Sequence, residues 1–175
     1  MKVPVAEAAR ILEERGQLHR RRFDQSERLI PHVAQRLGCA LPDDLVEFYR
    51  ERIGRVGDFD AIFPIWNDYV GWRPEGFKIT DLLHVGAVPL FSDGCASLYG
   101  LDLTSVGQTP AVYFFDKDDG YSKPQWAAGS SLGTFLLLLA DFDQSYAEHW
   151  PMKWQLDIDP DIDRCPRARA IWAAD

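Results

Sequence analysis

The sequence predicts an α+β fold: N-terminal helices packed on a mostly antiparallel twisted sheet, followed by a closing helix and a C-terminal extension. Two observations carry that expectation. Residues 87–91, 97–101 and 111–115 are short apolar runs, each bounded by Gly, Asp, Ser or Pro, the punctuation of consecutive antiparallel strands. Upstream of them, apolar residues recur at helical spacing, and helices segregated from a run of strands define the α+β class.

Each element follows from local chemistry. Val5, Ala8, Ala9, Ile11 and Leu12 give an amphipathic helix that stops at Gly16. Pro31 suits the first turn of a second helix, with Val33, Ala34 and Leu37 on one face and Gly38 at its end. Pro42 opens a third, where Asp43 and Asp44 favour the positive end of the helix dipole; Leu45, Phe48, Tyr49 and Ile53 line one side and Gly54 ends it. The cluster His19-Arg20-Arg21-Arg22 reads as a solvated face, being too short and too poor in aromatics for a nucleic-acid arm. From Asp58 onward Phe59, Ala61, Phe63 and Ile65 alternate as a strand does, with Pro64 at an edge or bulge. Residues 80–83 read as a turn or short helix. Gly94 and Gly100 flank a candidate hairpin.

Residues 116–129 read as a loop, after which Ser130 or Ser131 can accept the first free amide protons of a helix opening at Leu132. That helix is apolar on every side over residues 135–139, so it must be buried between the sheet and a second cover, which the tail would supply. Asp157, Asp159, Asp161 and Asp163 alternate along that tail and read as an exposed strand with its carboxylates in water. A calcium loop counted from Asp157 would need glycine where Ile162 stands and glutamate where Ala168 stands.

Composition narrows the function classes. A chain of 175 residues fits one domain, 1–175, with 150–175 as an extension of it. The hydrophobic fraction of 46% and charged fraction of 26% are those of a folded globular protein. Residues 1–55 hold eleven Lys and Arg against nine Asp and Glu; the remainder holds eight against eighteen. An acidic C-terminal two thirds argues against direct binding of nucleic acid, which needs Lys and Arg on phosphates, and favours a basic protein partner. Early charge at the N-terminus and the lack of a long apolar run argue against a signal peptide or membrane span, placing the chain in the cytoplasm. Cys39, Cys95 and Cys165 lack any CxxC spacing and read as small reduced core residues.

No nucleophile elbow, P-loop, HExxH or dinucleotide fingerprint is present, and His19, His32, His84 and His149 have no ligand spacing, so neither a metal nor a cofactor is expected. An enzyme would have to work with Asp93, Asp116 or His84. The candidate partner-binding residues are instead Trp66, Tyr69 and Trp72 in the aromatic-rich stretch 66–77, the carboxylates Asp116, Asp118 and Asp119, and the anchors Tyr121 and Trp126 beside them. For any single aromatic of residues 66–77 a place in the core is the commoner use.

Taken together, Leu37-Gly38-Cys39-Ala40-Leu41-Pro42-Asp43-Asp44-Leu45 with Phe48-Tyr49, Val88-Pro89-Leu90-Phe91, Tyr99-Gly100-Leu101-Asp102-Leu103, Pro110-Ala111-Val112-Tyr113-Phe114-Phe115-Asp116 and Ser130-Ser131-Leu132-Gly133-Thr134-Phe135-Leu136 resemble the SUKH superfamily over about residues 30–139. That superfamily includes fungal cell-wall assembly regulators of the Smi and Knr type and many bacterial immunity proteins. The resemblance implies an α+β fold that binds proteins, without catalytic machinery: in bacteria, a cytoplasmic immunity partner of a toxin, often a nuclease. The common His-Glu pair after Asp116 is missing here, and the tail from Trp150 lies outside the pattern.

Overall fold

The computed structural model describes residues 2–22, 26–62, 80–105, 108–145 and 154–168. Helix α1 (Val5–Glu14) buries Val5, Ala8, Ala9 and Leu12, one stripe at helical spacing, and turns Glu7, Arg10 and Glu14 outward as an ion-paired row. It ends as expected at Gly16, whose φ of +69° lets the Gly16 amide reach Glu13 O and the Gln17 amide reach Leu12 O. Strand β1 (Leu18–Arg20) follows, then α2 (Ser26–Leu37), α3 (Asp43–Arg50), β2 (Ile53–Val56) and β3 (Phe59–Asp60). These three strands form a small antiparallel sheet in the order β1-β2-β3.

Beyond α4 (Thr80–Leu83), strands β4 (Ala87–Ser92), β5 (Leu98–Asp102), β6 (Val112–Phe115) and β7 (Trp126–Gly129) form an antiparallel meander in sequence order. A bridge between Ala61 and Phe91, with the Ile62 amide donating to Leu90 O at 2.7 Å, joins the two sheets at β4. Pro89 is tolerated in β4 because the register slips between Pro89 and Phe91, a bulge where no ladder amide is required.

Helix α5 (Leu132–Ser145) is the centre of the molecule. Ser131 is its cap: its Oγ accepts from the Thr134 amide, and Thr134 Oγ1 accepts from the Ser131 amide, a reciprocal box. Every residue from 131 to 140 is buried, as an all-round apolar helix must be. Its cover is shared. Helix α1 packs along it most extensively, and the tail, α6 (Trp154–Ile158) with the single 3-10 turn Ile162–Arg164, contributes less. Gly133 lets α1 come this close: a Cβ there would stand 2.0 Å from Val3 O.

Several sequence expectations are corrected by context. The basic cluster is only in part a solvated face: His19 and Arg22 are exposed, but Leu18–Arg20 form a strand, and Arg20 is held by Glu13 and Glu51. Helix α2 begins upstream of Pro31, which lies inside it, and α3 stops at Arg50, so Ile53 belongs to β2. Gly100 is not at a hairpin turn; it lies within β5, where a Cβ would meet Leu82 Cδ1 of α4 at 2.7 Å. The loop expected over residues 116–129 ends in β7. The aspartates of the tail do not sit on a strand, and Asp159 is 1% exposed. Cys39 and Cys95 are exposed free thiols rather than core residues; only Cys165 is partly buried, and burial pushes its thiol up to about 12. Phe63, Pro64 and Ile65, the last part of the expected strand, lie outside the described residues.

Candidate protein-binding surface

Two connections meet at one end of the large sheet: the β4–β5 turn, residues 93–97, and the β6–β7 loop, residues 116–125. The turn is made by Asp93, whose Oδ1 accepts the amides of Cys95 at 2.7 Å and Ser97 at 3.0 Å. The loop uses the same device, Asp116 Oδ1 accepting the Asp118 amide at 2.9 Å. Ser97 stitches them, its Oγ reaching Asp116 Oδ1 at 3.4 Å and accepting the Lys117 amide at 3.3 Å. Tyr121, at a φ of +55°, crosses back to donate its hydroxyl to Ala96 O at 2.7 Å.

These bonds decide which of the expected residues are left exposed. Asp116 and Tyr121 are half-buried and spend their polar atoms inside the loops. Asp118 and Asp119 are exposed, Asp119 also taking the Gln125 amide group at 2.7 Å and so leading directly to β7. Trp126 is not a loop anchor; it opens β7 and stacks on Phe114 with ring centroids 4.7 Å apart and planes at 16°. Its ring remains half-exposed, the outer member of an aromatic series. Phe114 meets Tyr99 at 5.3 Å, and Tyr99 meets Phe59 at 6.1 Å and Phe135 at 5.2 Å. Trp66, Tyr69 and Trp72 lie outside the described residues. The surface is thus a rigid pair of turns bearing Asp118 and Asp119 next to an indole backed by the core.

Asp93 and Asp116 both bond Ser97 as turn formers, and His84 is exposed. Among the described residues no group of three or more His, Cys, Asp or Glu could hold a metal ion, and no helix is long and apolar enough to cross a membrane.

Two carboxylates are buried and fasten the tail: Asp159, expected in water, and Asp102, given no role by the sequence. Asp159 accepts from the Ser130 amide at 2.6 Å, from Ser130 Oγ and from Thr134 Oγ1 at 3.2 Å. Asp102, fully buried, accepts from Thr104, Ser105 and Arg167 Nη1, the last at 2.9 Å. Burial alone would raise the Asp102 carboxyl, but the bonds from Ser105, Thr104 and Arg167 together outweigh it and hold it below the usual carboxylate value. A depressed folded pKa adds stability above the unfolded value near 3.8, lost as pH falls through the lower folded value. Asp102→Asn is therefore expected to cost about 1.5–3 kcal/mol at pH 7, the range for a hydrogen bond to a charged group. Urea titrations of the two proteins should converge as pH drops below that window; a gap independent of pH would refute the assignment.

The fold defines an α+β domain built on an antiparallel sheet with packed residues on both faces. The chain belongs to the SMI1 / KNR4 family (SUKH-1), whose model matches residues 26–137. No curated protein and no solved structure matches it. The match begins after α1 and β1 and ends inside α5, so the helix that most covers α5 and the tail both lie beyond it.

Proposed function

We propose that this protein acts without catalysis, as an immunity protein that neutralises a cognate toxin domain by stoichiometric binding in the bacterial cytoplasm. A basic toxin domain, a nuclease for example, is the partner that fits. Family membership supports a protein-binding role. The observation that carries the choice of partner is the rigid pair of turns bearing Asp118 and Asp119 beside Trp126 on an acidic chain. A turn already locked by internal hydrogen bonds loses little freedom on binding, and carboxylates around an aromatic anchor complement a basic surface.

Pull-down with the tagged chain at physiological salt, followed by mass spectrometry, is expected to retain one basic protein in equimolar amount. Asp118→Lys, at an exposed position whose side chain builds no turn, should slow association about tenfold and weaken its salt dependence, leaving the unfolding midpoint unchanged. Unaltered capture by that variant would remove this surface from the interface. A second reading, an intracellular scaffold of the cell-wall assembly regulator type, rests on the resemblance to regulators of the Smi and Knr type and is consistent with membership of the SMI1 / KNR4 family. Several substoichiometric partners that wash off with salt would select it.

A further inference from the structure

We propose that residues 154–168 form a releasable strap that guards the β7 edge of the sheet and opens as a unit while the meander stays folded. Strand β7 is last in the order β4-β5-β6-β7, so among the described residues one of its sides has no strand neighbour. Trp126-Ala127-Ala128-Gly129 carries neither charge nor proline, the usual devices that blunt an edge, and such an edge is a template for pairing with another chain unless covered. The turn Ile162–Arg164 packs against β7, and Ile162, fully buried, shares a cluster with Ala127 and Leu138.

The way this cover is attached differs from the way the sheet is built. Strands β4 to β7 are joined by three successive antiparallel ladders, interrupted by one register shift between β4 and β5 and one between β6 and β7. The strap is held by a few discrete fastenings. Asp159 takes up Ser130 and Thr134; Arg167 pairs with Asp102, gives its amide to the Tyr113 hydroxyl at 3.3 Å, and lays its guanidinium 6.0 Å from the Tyr113 ring centroid. Among its apolar side chains whose burial is described, Ile162 is fully buried and Leu156, Ile158, Cys165 and Ala168 are partly so. Buried charges return to water when such a segment lifts, which offsets part of what the fastenings contribute. Opening would strip β7 of its cover and cost the core the contacts of the partly buried Ile158, while the ring contacts of Phe135 with Phe91 and with Tyr99 do not themselves involve the strap.

Native-state hydrogen exchange on the full chain tests this. In the wild type, the amides of Asp159, Ile162, Arg164 and Cys165, each bonded within the strap, and that of Ser130 should exchange together, by an opening less costly than that of Leu101 and Tyr113 in β5 and β6. Arg167→Gln should speed the strap amides and those of residues 127–129 at least tenfold, with Leu101 and Tyr113 unchanged. The converse variant Leu101→Ala, a core truncation, should speed the sheet amides and leave the strap's rate as it was. If either variant accelerates strap and sheet equally, or Arg167→Gln changes neither, the tail is an ordinary part of one cooperative unit and the strap is refuted.

Discussion

Gly133→Ala is expected to destabilise the protein by about 3 kcal/mol, the upper end for overpacking a filled interior. The site is severe because of what the added methyl would meet. Its Cβ would stand 2.0 Å from Val3 O, 2.9 Å from Val3 C and 3.0 Å from Pro4 C, all backbone atoms that cannot rotate away. The only relief is to lift the start of α1, and α1 is the most extensive cover of α5, placing Val5, Ala8, Ala9 and Leu12 in the same core as Leu136 and Leu139. Alanine has the higher helix propensity by roughly 1 kcal/mol, so an isolated helix would gain from the change. Urea denaturation therefore distinguishes the two effects by sign, and a variant as stable as the wild type would show that the approach of Val3 to α5 is not as close as described. Exchange should be fastest over residues 5–12 if α1 lifts while the sheet persists.

That close approach marks a limit of what the sequence discloses. The meander, the cap of α5 and the stop at Gly16 were legible because their determinants are local: a turn former, a hydroxyl, a glycine, an apolar run. Gly133 gave no such signal. Its reason is Val3, far away in the chain, just as the reason for Gly100 is Leu82 and that for Gly129 is Phe135, whose Cβ would lie 2.6 Å from an added methyl. Strands β1, β2 and β7 are not disclosed by the sequence because they read as charged, helical or loop-like segments; each is held by pairing with a neighbour rather than by its own propensity.

The tail was misread for a sharper reason. Alternating aspartates imitate the period of an exposed strand, but period alone does not say which side chain finds a buried partner. Asp159 meets the unpaired amide of Ser130, a donor that must be satisfied once buried, and that pairing outweighs exposure to water. A similar contrast runs through the candidate surface. The acidic character of residues 116–119 was visible, whereas the division between Asp116, used up in the turn, and Asp118, left outward, depends on Ser97 from another hairpin. Asp102 had a local hint in the Thr and Ser that follow it closely, the pattern of a side-chain-capped turn.

The second large effect is expected at Phe135, the ring through which α5 meets the sheet. It is 1% exposed and packs edge-on against Phe91 at 5.8 Å and tilted against Tyr99 at 5.2 Å, so it bridges the β4 and β5 layers. Phe135→Ala should cost about 3–5 kcal/mol, the transfer of the ring plus the cavity it leaves. Phe135→Leu should cost less, about 1–1.5 kcal/mol, since most of the volume is kept and the ring contacts alone are lost. Equal costs for the two would mean that the site collapses around either residue. The same pair separates support from contact at the binding surface. Tyr99 carries Phe114, and Phe114 carries Trp126, so loosening Phe135 should weaken partner binding in proportion to lost stability. Asp118→Lys should weaken binding with stability untouched. If Phe135→Leu impairs binding as strongly as Asp118→Lys while remaining folded, the indole platform, and not its acidic rim, dominates recognition.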